Sequence, residues 1–288
     1  MSLPKRVLVT GASGNVGREV VRDLRGREIE VRAAVPDEKA AQGVPKDVPW
    51  VPFDFTSPDT FDPALEGVDR VFLMRPPHMS DAAAFEPFLA AMKQADVRQV
   101  TFLSLLGVEK NPIVPHHGIE KGLRASGLGW TMVRPAFFMQ NLTTTHLADL
   151  REGRIVVPAG AGRTSFIDVR DIGAVAALTL AEVGHLGKAH SITGREALTY
   201  AECAALLSEA SKREIVYTNP SGREFARHMA DQGFPPDYIR VMRGIYLVCK
   251  LRLAGRITDE LPRLLGRPAI SFAQFAQDHV GLIDEPLS

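Results

Sequence analysis

The 288-residue sequence predicts an α/β fold: a doubly wound parallel sheet with a smaller, mainly helical C-terminal lobe. Three observations carry the prediction. Short apolar, β-branched runs alternate with amphipathic helical stretches through the first half of the chain. A glycine-rich turn joins the first strand to the first helix. Beyond about residue 150 the alternation gives way to helical segments broken by proline and glycine. Continuous apolar strands separated by helices imply a parallel sheet covered on both faces, and right-handed crossovers wind it in two directions.

The elements follow in order. Arg6–Thr10 (RVLVT) reads as a buried strand. Residues 16–24 place Val16, Val20, Val21 and Leu24 on one helical face. Glu30–Val35 is a second strand and 50–53 a short third one. Residues 57–65 form a short helix, with Ser57 and Pro58 as cap and first-turn residue. Arg70–Met74 is a fourth strand, and 80–95 a helix opened by Ser80 and Asp81. Residues 99–104 are a fifth strand, 115–126 a helix and 130–133 a sixth strand. Thr164–Ile167 is extended. Asp168 and Asp171 precede an alanine-rich helix at 172–182, where a carboxylate can cap free amides. Lys188–Ile192 is one more sheet strand. The remainder is mostly helical and includes a long helix over 237–253.

Composition narrows the function classes. Hydrophobic residues make up 45% of the chain, enough for a globular core. The 34 basic and 34 acidic residues cancel, so no general field attracts a polyanion; nucleic acid and anionic membrane are excluded as broad electrostatic partners. The segment MSLPKRVLVTGASG has no apolar core of a signal peptide, and no stretch reaches the ~20 apolar residues of a membrane span. Cys203 and Cys249 match no zinc or redox spacing and read as buried thiols. A cytoplasmic setting and no metal are expected.

The sharpest motif is Thr10-Gly11-Ala12-Ser13-Gly14-Asn15-Val16-Gly17, which follows a strand and opens a helix. In a dinucleotide-binding turn the first glycine permits the bend. The second lets backbone approach a pyrophosphate, and the third lets helix and strand pack closely. Free amides and the positive end of the helix dipole complete an anion site. The motif therefore predicts a nicotinamide dinucleotide on a Rossmann domain at 1–150, its sheet completed by segments within 164–193. The smaller lobe, 194–288, is expected to bind substrate.

The spacing G-x-x-G-x-x-G resembles atypical short-chain dehydrogenases/reductases. With VFLMRPP, HHGIEKGLRASGLGWTMVRPAFFMQNL, FIDVRDIG and LGRPAISFAQFAQDH, the chain more closely resembles their NmrA-like branch. That resemblance implies NAD(P)H-dependent reduction, with cofactor contacts at Gly11–Gly17. It further implies adenine-ribose contacts at Leu73, Met74 and Arg75, and nicotinamide-side contacts from Ala136, Phe137 and Phe138 to Asn141. Arg75 reads as a cofactor or substrate contact, or as a surface charge. The resemblance favours NADP. Pro36, where NADP-using relatives carry arginine, departs from the pattern and leaves NAD open. Asp37 and Lys39 follow in a turn, where Lys39 can reach a 2′-phosphate or both can be solvated charges.

Catalytic groups are less defined. Ser104 ends the fifth strand, where the resemblance to short-chain dehydrogenases implies a serine that orients the substrate carbonyl. His117 and Lys121 hold the spacing of a Tyr-x-x-x-Lys helix, but none of the four tyrosines (200, 217, 238, 246) precedes Lys121. His116 and Glu120 lie four residues apart on one face. His116 can polarise or protonate an acceptor near neutral pH, or pair with Glu120 to stiffen the helix. Lys121 is the second catalytic candidate, and His117 is expected to be solvated. Phe137, Phe138, Met139 and Tyr238 suit either an apolar aromatic acceptor or a core.

Two functions follow. One is hydride transfer to a small electrophilic aromatic or carbonyl acceptor such as a quinone, for which the cofactor carries the hard chemistry. The other is a non-catalytic NAD(P)-binding redox sensor that acts on a protein partner, which the missing tyrosine supports.

Overall fold

The computed structural model describes residues 6–284. Its strands are β1 (Arg6–Thr10), β2 (Glu30–Val35), β3 (Trp50–Pro52), β4 (Arg70–Met74), β5 (Gln99–Leu103) and β6 (Gly129–Pro135). After these come β7 (Phe137–Phe138), β8 (Arg154–Val156), β9 (Thr164–Ile167), β10 (Lys188–Ile192), β11 (Ala197–Leu198) and β12 (Val216–Thr218). The helices are α1 (Asn15–Arg25), α2 (Glu38–Ala41), α3 (Phe61–Leu65), α4 (Glu86–Gln94), α5 (Pro115–Ala125), α6 (Leu147–Arg151) and α7 (Val169–Ala181). The last six are α8 (Tyr200–Ser211), α9 (Gly222–Asp231), α10 (Pro236–Lys250), α11 (Glu260–Leu265), α12 (Phe272–Asp278) and α13 (Val280–Asp284).

Two compact units emerge. The first comprises the chain up to Pro135, Val169–Ile192 and Arg263–Gly266. It holds a seven-stranded parallel sheet in the order β10-β6-β5-β4-β1-β2-β3. The chain winds outward from β1 in one direction, then restarts at β4 in the other. A crevice therefore opens at the carboxyl ends of β1 and β4, where ligands bind in doubly wound sheets.

Both faces of this sheet are covered, as the apolar strands require. On one face Phe53, Phe55, Phe61, Phe85 and Phe88 cluster with ring centroids 4.8 Å (Phe53–Phe55 and Phe53–Phe88) to 5.9 Å (Phe53–Phe61) apart. On the other face, α7 is buried along nearly its whole length. Side chains from the strands satisfy its carbonyls. Gln99 Nε2 donates to Thr179 O at 2.8 Å, Arg70 Nη1 donates to Leu180 O, and the Thr101 and Thr179 hydroxyls lie 3.2 Å apart. Helices α1 and α7 touch backbone to backbone: a Cβ on Gly173 would fall 2.8 Å from the Glu19 carbonyl carbon.

Three expectations need correction. The stretch 57–65 opens with a 3-10 turn at Pro58–Thr60 and becomes α-helical only at Phe61, and Ser57 makes no side-chain cap. The stretch 80–95 likewise starts with a 3-10 turn at Ala83–Phe85. Asp81 accepts from Ala83 N at 2.9 Å, and α4 starts at Glu86 with Pro87 in its first turn. Prolines lack the amide an earlier helical turn would use, so they set where each helix begins. The third concerns Thr164–Ile167. Of the segments expected to complete the large sheet, Lys188–Ile192 joins it beside β6, whereas Thr164–Ile167 pairs with β7 and β11 in a separate three-stranded sheet.

The second unit comprises Ala136–Asp168, Thr193–Pro262 and the chain from Arg267 onward. Helices α8 and α9 start with reciprocal capping boxes, Thr199 with Glu202 and Ser221 with Glu224. Cys203 and Cys249 are both buried in its apolar core. Among the described residues no helix is long and apolar enough to cross a membrane.

A buried polar chain ties α6, α9 and α10 together. The Tyr246 hydroxyl and His146 Nε2 are 2.5 Å apart. His146 Nδ1 stands 4.0 Å from Asp149 Oδ2, and His228 Nε2 and Gln232 Nε2 lie 2.8 and 3.1 Å from Asp149 Oδ1. Burial pushes the Asp149 carboxyl up, but His146 and His228 outweigh it and hold the group below its ordinary value. The unfolded chain then binds more protons than the folded one as pH falls, so stability drops with pH there. We expect unfolding stability in urea to stay level down to the ordinary carboxylate range and to fall as Asp149 titrates. Asp149→Asn is expected to flatten that fall.

Candidate functional site

The glycine turn lies at the crevice. Gly11 has φ +63°, a conformation that favours glycine, and a Cβ there would sit 2.9 Å from Met74 Cγ. Gly14 N donates to Gly11 O at 2.9 Å, which closes the bend. A Cβ on Gly17 would lie 2.7 Å from the Gly11 carbonyl carbon and 2.9 Å from Ala12 Cα. Helix α1 thus packs directly on its own turn. Gly14 caps α1 with extended backbone and no side-chain hydrogen bond, and no acidic residue occupies the first turn. The first amides of an 11-residue helix remain available to an anion. A dinucleotide pyrophosphate fits this cradle of backbone and dipole.

The supports of this turn were not legible in the glycine spacing. The Thr10 hydroxyl donates to Phe72 O at 3.0 Å and accepts from Met74 N at 3.0 Å, stitching β1 to β4 at the crevice. A buried polar residue ending an otherwise apolar strand was the available signal. Arg18 Nε donates to Ser13 O at 2.7 Å and braces the turn from outside.

At the end of β2, Val35 is buried and Pro36 exposed. Asp37 caps α2 by accepting from Ala40 N at 2.7 Å, so its carboxylate already has a partner. Lys39 is exposed one turn on.

The candidates of β4, β5 and α5 all lie in the first unit. Leu73 is buried and Met74 partly so. Arg75 folds back, its Nη1 donating to Pro76 O, Pro77 O and Met79 O at 2.9, 3.0 and 2.6 Å. The Ser104 hydroxyl donates to Glu120 Oε1 at 2.7 Å, inside a network that the sequence did not disclose. Arg134 from β6 reaches Glu120 with Nε at 2.8 Å and Nη2 at 2.6 Å, and Glu109 with Nη1 at 3.0 Å. Burial pushes the Glu120 carboxyl up, yet the hydrogen bonds from Arg134 and Ser104 leave it below the usual carboxylate range. Because Glu120 is turned to Arg134, the expected His116–Glu120 hydrogen bond is not formed, and His116 Nδ1 is buried without a partner. His117 also departs from expectation. It is not free in solvent; its Nδ1 lies 3.0 Å from Val108 O. Lys121 is exposed one turn later.

The remaining candidates lie in the second unit. Ala136 is buried, and Phe137 and Phe138 form β7, paired in parallel with Phe166 and Ile167. Phe137 packs against the unit's core, as does buried Met139. Tyr238 stacks on Phe234 with centroids 5.3 Å apart, and its hydroxyl lies 3.0 Å from that of Thr145. Among the described residues no group of three or more side chains is arranged to hold a metal ion.

Residues 11–182 match the family described as NAD(P)H-binding. The chain is 33% identical over 278 residues to an NAD(P)H azoreductase of Xenophilus azovorans, covering 95% of this chain and 97% of the relative. An NADPH-dependent quinone oxidoreductase from Escherichia coli, solved with NADPH, superposes with a TM-score of 0.84 at 25% identity, over 94% of this chain and 99% of that one. A triphenylmethane reductase of Citrobacter sp. shares the fold, with a TM-score of 0.85 at 23% identity over 96% and 99% of the two chains.

Proposed function

This chain belongs to the NAD(P)H-binding family, and from that premise we propose that it is an NAD(P)H-dependent oxidoreductase of the NmrA-like type that reduces a small electrophilic aromatic or carbonyl acceptor such as a quinone. The observation that carries the proposal is the glycine cradle at the switch point, in a chain 33% identical over 278 residues to an NAD(P)H azoreductase. The relative solved with NADPH, named as a quinone oxidoreductase, supports the acceptor class.

In this reading the turn from Gly11 through Ala12, Ser13, Gly14, Asn15 and Val16 to Gly17 holds the pyrophosphate. Leu73, Met74 and Arg75 border the adenine-side ribose, with the acceptor as the alternative for Arg75 alone. Ser104, Ala136, Phe137 and Phe138 serve the nicotinamide side. Acceptor recognition is assigned to 194–288. NADP is the cofactor proposed over NAD. Discrimination for NAD uses a free carboxylate after β2, and Asp37 is committed to its helix cap. Lys39 is left to meet a 2′-phosphate.

When bound, the cofactor supplies the hydride, and the protein's tasks are to orient the acceptor and exclude water. No tyrosine stands four residues before Lys121, so the proton is assigned to solvent and the polarising role to His116, with Lys121 the weaker candidate. Burial, then the nearby Arg75 charge, lower the His116 pKa to about 4 against a smaller opposing effect of Glu120, so the ring is neutral near neutral pH. It then acts as a hydrogen-bond donor and not as an acid.

Purified protein is expected to bind NADPH more tightly than NADH and to oxidise it when quinones are added. A panel of quinones, dyes and conjugated enones tests this. Binding without oxidation across the whole panel would favour the redox-sensor reading, for which the missing tyrosine is the motive.

A further inference from the structure

Two polar atoms beside the crevice have no partner in the protein. Arg75 Nε and His116 Nδ1 are both buried, and neither makes a hydrogen bond. Buried polar groups are seldom left unpaired, because losing water without a replacement costs about 1–3 kcal/mol each. Both belong to the first unit, and three features bring them together. Leu73, two residues before Arg75, pairs with Phe102 across β4 and β5. The chain after Arg75 returns to α5 at Ala82, whose Cβ would lie 2.6 Å from a Cβ on Gly118. The His116 ring lies 5.9 Å from the Phe102 ring, at the end of β5.

Arg75 is fixed in orientation, and Glu120 is not free to pair with His116. Three backbone carbonyls hold Arg75 by Nη1, so the guanidinium cannot swing to satisfy Nε. Glu120, which could have taken a proton from His116, is held by Arg134 and Ser104. Nε of arginine can only donate, and Nδ1 of a neutral histidine donates in one tautomer. Two unpaired donors, one of them anchored and carrying a permanent charge, suit an oxygen on which negative charge develops.

We propose that Arg75 and His116 form a two-donor site for the acceptor oxygen, and that this site selects quinones and conjugated carbonyls over cationic dyes. The inference rests on the reductase reading and specifies its acceptor. Hydride addition to a conjugated carbonyl system forms a bond to hydrogen and moves the displaced π pair onto oxygen. The acceptor is reduced, the nicotinamide that gave the hydride is oxidised, and the oxyanion takes its proton from water. A cationic dye is neutralised by the same hydride and places no negative charge at the site. The Arg75 charge therefore favours the first class only.

The test uses full-length protein with oxidised cofactor and 4-nitrophenol, whose anion is coloured. Wild type is expected to bind the phenolate and to lower its apparent pKa by about one to two units, the effect of a nearby cation. Arg75→Met and His116→Leu are expected to reduce that shift, and His116→Asn, which keeps a donor near Nδ1, to recover part of it. In turnover, Arg75→Met is expected to lower the ratio of kcat/KM for a quinone to that for a cationic triphenylmethane dye about 100-fold, as for loss of an oxyanion donor. An unaltered nitrophenol pKa together with an unaltered ratio in Arg75→Met would overturn the proposal. Failure of the wild type to oxidise NADPH with any acceptor would instead overturn the reductase reading, while nitrophenol still reports on the pair.

Discussion

Replacing Gly17 by alanine is expected to weaken NADPH binding about 100-fold, which corresponds to roughly 2.7 kcal/mol. The added methyl would sit 2.7 Å from the Gly11 carbonyl carbon and 2.9 Å from Ala12 Cα. Both neighbours are backbone, so no side chain can rotate away. Relief requires α1 to move off the turn, and overpacking of this kind costs about 1–3 kcal/mol. The same movement displaces the first-turn amides that the cradle offers to phosphate. Gly14→Ala is the graded comparison. Its Cβ would lie 3.3 Å from Gly11 O, so a small adjustment relieves it and a smaller loss of affinity is expected. Titration calorimetry of both variants against wild type measures the difference. Equal affinities for all three would mean that the turn does not cradle the cofactor.

The second large effect is expected on stability. Glu120→Ala removes the carboxylate that Arg134 engages with two nitrogens, in a pair with both side chains at least nine-tenths buried. Removing one member of a buried pair typically costs about 3–5 kcal/mol, because the other charge is left uncompensated. Arg134 keeps Glu109 at 3.0 Å, but that carboxylate is 39% exposed. The loss should therefore fall near the lower end, about 3 kcal/mol. Ser104 would lose its acceptor as well. Thermal unfolding should show a lowered Tm. The double variant Glu120→Ala with Arg134→Met should recover part of the loss, since it leaves no unpaired buried charge. A single variant as stable as wild type would mean that the network does not hold α5. The linked pH dependence has a definite sign. The Glu120 carboxyl is held below its unfolded value, so its contribution is present above the ordinary carboxylate range and disappears as pH falls through its folded value.

Most of the sheet was legible because its strands are short, apolar and bounded by turns. Arg6–Thr10, Glu30–Val35, Arg70–Met74 and Lys188–Ile192 sit where periodicity placed them. The glycine turn was legible because its spacing states a backbone requirement. What escaped the sequence was long-range pairing. His116 and Glu120 hold helical spacing, but spacing cannot show that Arg134, fourteen residues past Glu120 and in β6, competes for the carboxylate. Spacing likewise could not show that Asp37 caps a helix of four residues, or that Ser104 donates to α5. Helix starts at 57 and 80 failed for a local reason, since 3-10 turns carry the same polar opening residues as α-helices.

Hydride transfer to a quinone can be followed in a single turnover. Protein saturated with NADPH, kept free of oxygen, is mixed with one equivalent of a small quinone, and the reduced-nicotinamide absorbance is followed. Loss of one equivalent of NADPH and appearance of the hydroquinone are expected, faster than in the same mixture without protein. NADPH that stays bound and reduced, with the quinone unchanged, would contradict it.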